Sequence, residues 1–211
     1  MRTSIERLEQ LGAIDPVSRW ARSRLAPLRE GRAGDVLTGQ WLGHAVHPML
    51  TDLPIGCWTS SALLDVVGGA RSRHASTRLV ALGIAAVPLT AATGMADWSN
   101  VGDRRAQRVG LVHGVGNLVA TACYVQSWRR RRQGHHLHGV AWGLVGGTCA
   151  SVTGYLGGHL SFNLGTGIGD RGLRESAPSP SHGAHEATSN ASDATAAAAD
   201  RVPVDSWEGL D

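Results

Sequence analysis

Residues 41–56 read WLGHAVHPMLTDLPIG and place His44, His47 and Asp52 at the start of a long apolar segment. Ionisable side chains at the mouth of a membrane-length helix cost free energy, and those that are kept there usually have a function. The stretch therefore predicts both the entrance of a membrane bundle and part of a site.

Four segments of the chain are apolar over about 20 residues, enough to cross the roughly 30 Å hydrocarbon layer as helices. They are residues 47–68, 77–98, 109–128 and 139–162. The first is the least hydrophobic because it contains Asp52 and Asp65. Short loops between the segments favour antiparallel neighbours. The sequence thus predicts an all-α fold, an integral membrane four-helix antiparallel bundle over residues 41–169.

The two ends of the chain have a different composition. Residues 1–40 mix arginines with apolar residues at helical spacing, which predicts an amphipathic, basic arm on the membrane surface or on the bundle. The arm has no apolar core of the kind found in a cleavable signal peptide. Residues 170–211 are rich in Ser, Ala, Pro and Asp, and we predict a disordered tail or linker there.

Composition narrows the classes of function. All 20 basic residues are arginine, the formal charge is +3, and aromatic residues are not interleaved with the arginines, so no nucleic-acid partner is expected. The three cysteines lie in apolar segments without a CxxC spacing, which gives no zinc or iron–sulfur ligand set. No serine or cysteine catalytic arrangement is visible, so we do not propose hydrolysis, and we do not expect the protein to be an enzyme by itself.

An up-and-down bundle brings the polar residues of the spans to one membrane face. That face holds the starts of the first and third spans and the ends of the second and fourth. The residues concerned are His44, His47, Asp52, Asp97, His113 and His159. At 1.5 Å per residue they lie within roughly 10 Å of the face, and inward side chains of neighbouring helices can meet. We therefore predict a His/Asp site at this face.

Histidines from different helices suit haem b, which takes two axial imidazoles facing across a bundle core. His113 with either His159 or His47 satisfies that requirement. We take His113 and His159 as the expected axial ligands, with His44 and His47 as additional ligands.

Two other uses of the same residues stay open. A single or paired metal ion would recruit His44 and His47 with Asp52 or Asp97, whereas beside a haem the aspartates would orient an imidazole. Alternatively, the polar side chains hydrogen-bond to one another and hold the bundle together without any cofactor.

The opposite face is basic. It holds arginines 71, 73, 78 and 129–132, and we expect Asp65 to pair with one of them as a structural ion pair. The histidines at positions 135, 136 and 138 follow four arginines and are interpreted as part of a solvated basic turn. Arginines near the span ends are equally numerous at both faces, so only the arginines of the N-terminal arm orient the chain, and they favour cytoplasmic termini.

The motifs WLGHAVHPMLTDLPIG, GMADWS, GLVHGVGNLVA and GYLGGHL resemble the bacterial membrane family called domain of unknown function 2231, over roughly residues 35–170. The resemblance implies four helices in the bacterial cell membrane and no established activity. Some relatives continue into a Rieske-type iron–sulfur domain, which implies electron transfer. Here no C-x-H…C-x-x-H pattern follows. The chain then acts alone, receives a separate redox protein on its tail, or is a truncated form of a fused protein.

These observations predict a multi-pass membrane protein that binds haem b or a metal ion at one face and serves electron transfer. Its expected partners are the lipid bilayer, a Rieske-type or other redox protein, and a second copy of itself in a homo-oligomer. One alternative is a cofactor-free membrane anchor that tethers a partner. A small transporter is less favoured because the polar residues gather at one face instead of crossing the bundle.

Overall fold

The computed structural model describes residues 2–166, and every regular element in that part of the chain is helical. Three short helices come first: α1 (Arg2–Gln10), α2 (Asp15–Leu25) and α3 (Gly31–Thr38). Four long helices follow: α4 (Val46–Val67), α5 (Arg73–Asn100), α6 (Arg104–Arg132) and α7 (His136–Phe162). Single 3-10 turns occur at Gly12–Ile14, Ala26–Arg29, Gln40–Leu42 and Ala70–Ser72. The all-α class is confirmed, and the tail predicted for residues 170–211 lies outside the described residues.

Local sequence explains where the long helices end. Gly69 follows α4 with φ of +58°, and Gly134 separates α6 from α7 with φ of +83°, a backbone conformation that side chains disfavour. Asp103 caps α6, since its carboxylate accepts the backbone N–H of Arg105 at 2.9 Å. The resulting short loops make α4 pack chiefly on α5 and α6 chiefly on α7.

The two helix pairs, α4–α5 and α6–α7, are equivalent units. Residues 46–61 of α4 (VHPMLTDLPIGCWTSS) correspond to residues 112–127 of α6 (VHGVGNLVATACYVQS). Residues 83–94 of α5 (GIAAVPLTAATG) correspond to residues 146–157 of α7 (GGTCASVTGYLG). In the first helix of each pair, the residues identical at corresponding positions are a Val-His dipeptide, one cysteine and one serine. In the second helix of each pair, they are a glycine, a threonine and another glycine.

Contacts in the middle of the bundle repeat in the same way. The indole of Trp58 packs on the backbone of Gly83, and the ring of Tyr124 packs on Gly146, where added Cβ atoms would overlap or crowd the rings. Trp58 and Tyr124 then stack on each other, with ring centroids 3.8 Å apart and an interplanar angle of 12°. Because equivalent residues meet each other, the two units are related by an approximate two-fold axis parallel to the helices.

The interior of the bundle contains many hydroxyl side chains beside hydrophobic residues such as Trp58 and Val109, and many large apolar side chains face outward. The buried hydroxyl residues of the long helices are Ser61, Ser76, Thr90, Thr93, Ser99, Ser127 and Thr153. Exposed apolar residues occur on all four, including Leu53, Leu63 and Val66 on α4, Leu82 and Leu89 on α5, Leu118 and Val119 on α6, and Leu144 and Val152 on α7. A bundle in water rarely exposes large apolar side chains along every helix.

By length and composition alone, one segment of the described chain, Ala70–Asn100, is a candidate membrane span. The other long helices carry carboxylates, arginines or many small and hydroxyl residues, which lower their mean hydropathy. The arrangement with four spans therefore stays a prediction.

The N-terminal helices pack along the bundle at the end where α5 finishes and α6 begins. Ile5 of α1 is buried against Val109 of α6 and Leu156 of α7. Arg22 of α2 donates to the carbonyl oxygens of Ser99 and Val101 at 2.9 and 2.6 Å and so caps the end of α5.

Candidate functional site

His47 lies in the first turn of α4 and is held by α5. Its Nδ1 is 2.9 Å from the carbonyl oxygen of Thr90. A carbonyl can only accept, so Nδ1 carries the proton and the Nε2 lone pair remains for another partner. The ring packs directly on Gly94, where an added Cβ would lie 2.6 Å from Cε1.

His113 of α6 is held by α7 with the same geometry. Its Nδ1 donates to the carbonyl oxygen of Thr153 at 2.8 Å, and its ring packs on Gly157, where an added Cβ would lie 2.9 Å from Cε1. The Nε2 lone pair accepts a hydrogen bond from the amide of Asn117 at 3.0 Å. The side-chain amide oxygen of Asn117 in turn accepts a hydrogen bond from the hydroxyl of Thr153 at 2.8 Å. Both ring nitrogens of His113 therefore have partners.

His47 and His113 occupy corresponding positions of the two units. His47 lies eleven residues before Trp58 and His113 eleven residues before Tyr124, and because these two rings stack on each other, the two imidazoles lie in one layer of the bundle. Each ring is fixed by a hydrogen bond from Nδ1 to a backbone carbonyl, which is the support that metal-ligating histidines commonly have. The layer thus contains two oriented imidazoles from two helices, with the Nε2 atom of His113 hydrogen-bonded to Asn117.

The two rings are positioned by four residues that the sequence patterns did not predict as part of a site: Thr90, Gly94, Thr153 and Gly157. Their signal is the repeated spacing of a threonine four residues before a glycine, in TAATG at 90–94 and TGYLG at 153–157. Combined with the two Val-His pairs, this spacing could have identified the layer.

His159 has a different environment. Its Nε2 lies 2.7 Å from a carboxylate oxygen of Glu9, on helix α1. Arg108 reinforces this contact by donating to the backbone carbonyl oxygen of Glu9 and to both carboxylate oxygens of Asp15. The structure therefore engages His159 with the N-terminal arm, and it brings His113 together with His47.

The other predicted ligands are spread along the same end of the bundle. His44 precedes α4 and is exposed, and Asp52 is exposed on α4. Asp97 is partly buried near the end of α5. In the part of the chain that the structure describes, three or more His, Cys, Asp or Glu side chains do not form a group that could hold a metal ion.

Polar groups at the opposite end form a closed network. Arg131 donates to both carboxylate oxygens of Asp65, at 2.9 and 2.6 Å. The hydroxyl of Ser76 donates to Asp65 at 2.6 Å, and His136 approaches the same carboxylate at 3.4 Å. The predicted structural ion pair of Asp65 with an arginine is confirmed.

Comparison with known proteins gives one family. The family model described as "Predicted membrane protein (DUF2231)" matches residues 43–170, which is more than half of the chain. No curated protein and no solved structure matches the chain significantly.

Proposed function

The chain belongs to the DUF2231 family of predicted membrane proteins, and we propose that it spans the bilayer four times and binds a redox-active metal centre between His47 and His113. Haem b is the first candidate for that centre. Electron transfer is the proposed activity, and a Rieske-type or other redox protein is the proposed partner.

The side-chain distribution supports the four spans. Apolar residues face outward along each of the four long helices, and hydroxyls, imidazoles and an ion pair face inward. This arrangement is stable where lipid replaces water. A leucine that faces lipid carries no free-energy penalty of hydration, and polar groups that face inward satisfy one another's hydrogen bonds. It applies to α4, α6 and α7 as well as to α5.

One observation carries the proposal for the metal centre. At corresponding positions of two equivalent helix pairs, an imidazole is seated on a glycine and held through Nδ1 by a threonine carbonyl. A hydrogen bond at Nδ1 selects the tautomer that leaves Nε2 free to ligate, and it raises the basicity of that atom. The repetition places one oriented imidazole on each of two helices, which a metal centre shared between the helices requires.

The donor set favours haem over a bare metal ion. Structural zinc sites take four protein ligands and catalytic ones take three, whereas haem brings its own equatorial nitrogens and needs two axial imidazoles. His47 and His113 would hold such a group, which would supply one-electron chemistry. The amide of Asn117 occupies Nε2 of His113 in this structure, so ligation requires Asn117 to turn away.

The test is an absorption spectrum of the detergent-purified protein, oxidised and then reduced with dithionite, with metal analysis on the same sample. We expect a Soret band that sharpens on reduction and is lost in His47→Ala and in His113→Ala. Matched controls are His44→Ala, at an exposed position just before α4, and His159→Ala, whose imidazole contacts Glu9. Both controls should keep the spectrum.

The proposal of a metal centre fails if the wild-type protein, expressed with haem and iron supplied, contains neither chromophore nor metal. The assignment of ligands fails if His47→Ala and His113→Ala both keep the spectrum. A spectrum lost in His159→Ala and kept in His47→Ala would restore His113 and His159 as the ligand pair.

A cofactor-free membrane anchor is the second candidate, and the contact between Asn117 and His113 favours it. That amide completes the hydrogen bonds of the imidazole without any metal. An anchor would be colourless and would stay folded as His113→Gln, because glutamine can keep one of the two hydrogen bonds.

A further inference from the structure

The last turns of α6 carry four consecutive arginines with two different roles. Arg131 turns inward, where its side chain is 2% exposed against Asp65. The other three are exposed and line an open groove of about 540 Å³. The groove is formed by Gln126, Trp128, Arg129, Arg130, Arg132 and Gln133.

The groove contains a guanidinium that stacks on an aromatic ring, together with further hydrogen-bond donors. The guanidinium of Arg132 lies 5.5 Å from the ring centre of Trp128, a cation–π contact that orders the arginine. Gln126 and Gln133 add amide N–H donors, and among residues 2–166 no Asp or Glu lines the groove. Planar guanidinium groups favour the paired oxygens of a phosphate.

The position of the groove indicates the source of that phosphate. It lies where α6 ends and α7 begins, and Leu137, just beyond the loop, is 78% exposed. A tryptophan at the end of a helix that is apolar on its outer surface, next to arginines, is typical of the boundary between headgroups and acyl chains.

We propose that this groove binds the phosphate of an anionic phospholipid headgroup. The inference depends on the four spans of the proposed function and is independent of the metal centre. It also favours the cytoplasmic leaflet, which is rich in anionic lipid, for this end of the bundle, which is the orientation opposite to the cytoplasmic termini predicted from the N-terminal arginines.

The test uses the full-length protein in micelles of a neutral detergent, titrated with headgroup-intact fluorescent phosphatidylglycerol and followed by fluorescence polarisation. The variant is Arg129→Gln/Arg130→Gln/Arg132→Gln. The matched control is Arg71→Gln/Arg73→Gln/Arg78→Gln, which removes the same charge from exposed positions at the same end of the bundle. We expect the variant to weaken binding at least about tenfold, since each arginine near an anionic headgroup contributes measurably, and the control to change it less than about threefold.

Several results would overturn the inference: equal losses in the variant and the control, no loss in either, or equal binding of fluorescent phosphatidylcholine. Displacement of the lipid by glycerol phosphate at similar concentration would indicate a soluble-phosphate site instead.

The triple lysine variant keeps the charge, and its affinity for the lipid should lie between the affinities of the wild type and the glutamine variant. If the triple glutamine variant does not fold, the single variant Arg132→Gln is the test, and we expect it to weaken lipid binding about threefold. His47→Ala should bind the lipid like the wild type, so a failure of the metal centre remains distinguishable.

Discussion

Asp65 and Arg131 occupy corresponding positions in the two helix pairs and form a bidentate ion pair across the bundle, with the shorter bond at 2.6 Å. Their side chains are 5% and 2% exposed. Both charges are further satisfied by the hydroxyl of Ser76. The two equivalent units have therefore acquired complementary charges at the place where they meet, which fixes how one unit docks on the other.

Replacing Asp65 by Leu should destabilise the bundle by about 3–5 kcal/mol, because it leaves a buried guanidinium without its counter-charge. The double variant Asp65→Leu/Arg131→Met should lose much less, since no uncompensated charge remains. Unfolding by sodium dodecyl sulfate, followed by circular dichroism, measures both free energies. If the single and double substitutions cost the same, the two side chains are not coupled as the structure indicates.

Adding a methyl group at the glycine seat of either histidine should disturb the site. Gly94→Ala and Gly157→Ala place a Cβ 2.6 and 2.9 Å from the imidazole carbons of His47 and His113, and we expect a loss of about 1–3 kcal/mol from overpacking. Any absorption band of a bound chromophore should shift or weaken in the same variants. Thermal unfolding in detergent, with the spectrum recorded alongside, tests both effects.

The matched controls for the glycine seats lie on the same helix as Gly157. An added Cβ at Gly154 or Gly158 meets open space. Gly154→Ala and Gly158→Ala should therefore be neutral or stabilise the helix by up to about 1 kcal/mol. Equal losses at all four glycines would mean that the imidazole contacts are not the cause.

Part of this architecture follows from patterns that a single chain displays. Apolar runs predict four long helices, and a lone carboxylate among arginines predicts the ion pair of Asp65. Membrane helices are apolar on the lipid side and largely small or apolar inside, so periodicity does not define the rotation of each helix about its axis. That rotation decides whether His113 meets His47 or His159.

The histidine layer could not be derived from periodicity because backbone contacts determine it. The carbonyl of Thr90 and the bare backbone of Gly94 hold His47, and neither contact has a hydrophobic signature. Likewise, the contact between Glu9 and His159 joins residues that are far apart in sequence and depends on how α1 docks. The internal repeat was the available signal, but its few identities are scattered through helices of ordinary membrane composition.

The contribution of Asp15 to docking of the N-terminal arm should depend on pH only in acid. The hydrogen bond from Arg108 lowers the pKa of Asp15 from 3.8, and the charges of Arg108, Arg104 and Arg19 lower it further. The contribution of Asp15 to docking is therefore complete above pH 3.8 and is lost as the pH falls through the lowered pKa. Amide hydrogen exchange of α2 should show protection that is constant near neutral pH and decreases in strong acid.

Asp15→Asn is the control for the arm. It should raise exchange in α2 several-fold at neutral pH and remove the acid transition, because no carboxylate remains to be protonated. An acid transition of unchanged size in Asp15→Asn would assign the effect to another group, with Glu9 the first to test, since its carboxylate contacts His159.

The four spans predict how the cysteines react in intact membranes. Cys57 and Cys149 are unpaired and partly exposed on α4 and α7, so water would reach them if these helices lay outside the bilayer. In membrane fragments that are open to the reagent on both faces, a membrane-impermeant maleimide should label them at least about tenfold more slowly than Ser23→Cys on the exposed surface of α2, because a thiol in lipid does not ionise to the reactive thiolate. Cys57 and Cys149 should both react once sodium dodecyl sulfate unfolds the protein. Rapid labelling of either one in intact membranes would place its helix in water, and the outward leucines and valines of that helix would then have to be covered by another protein chain.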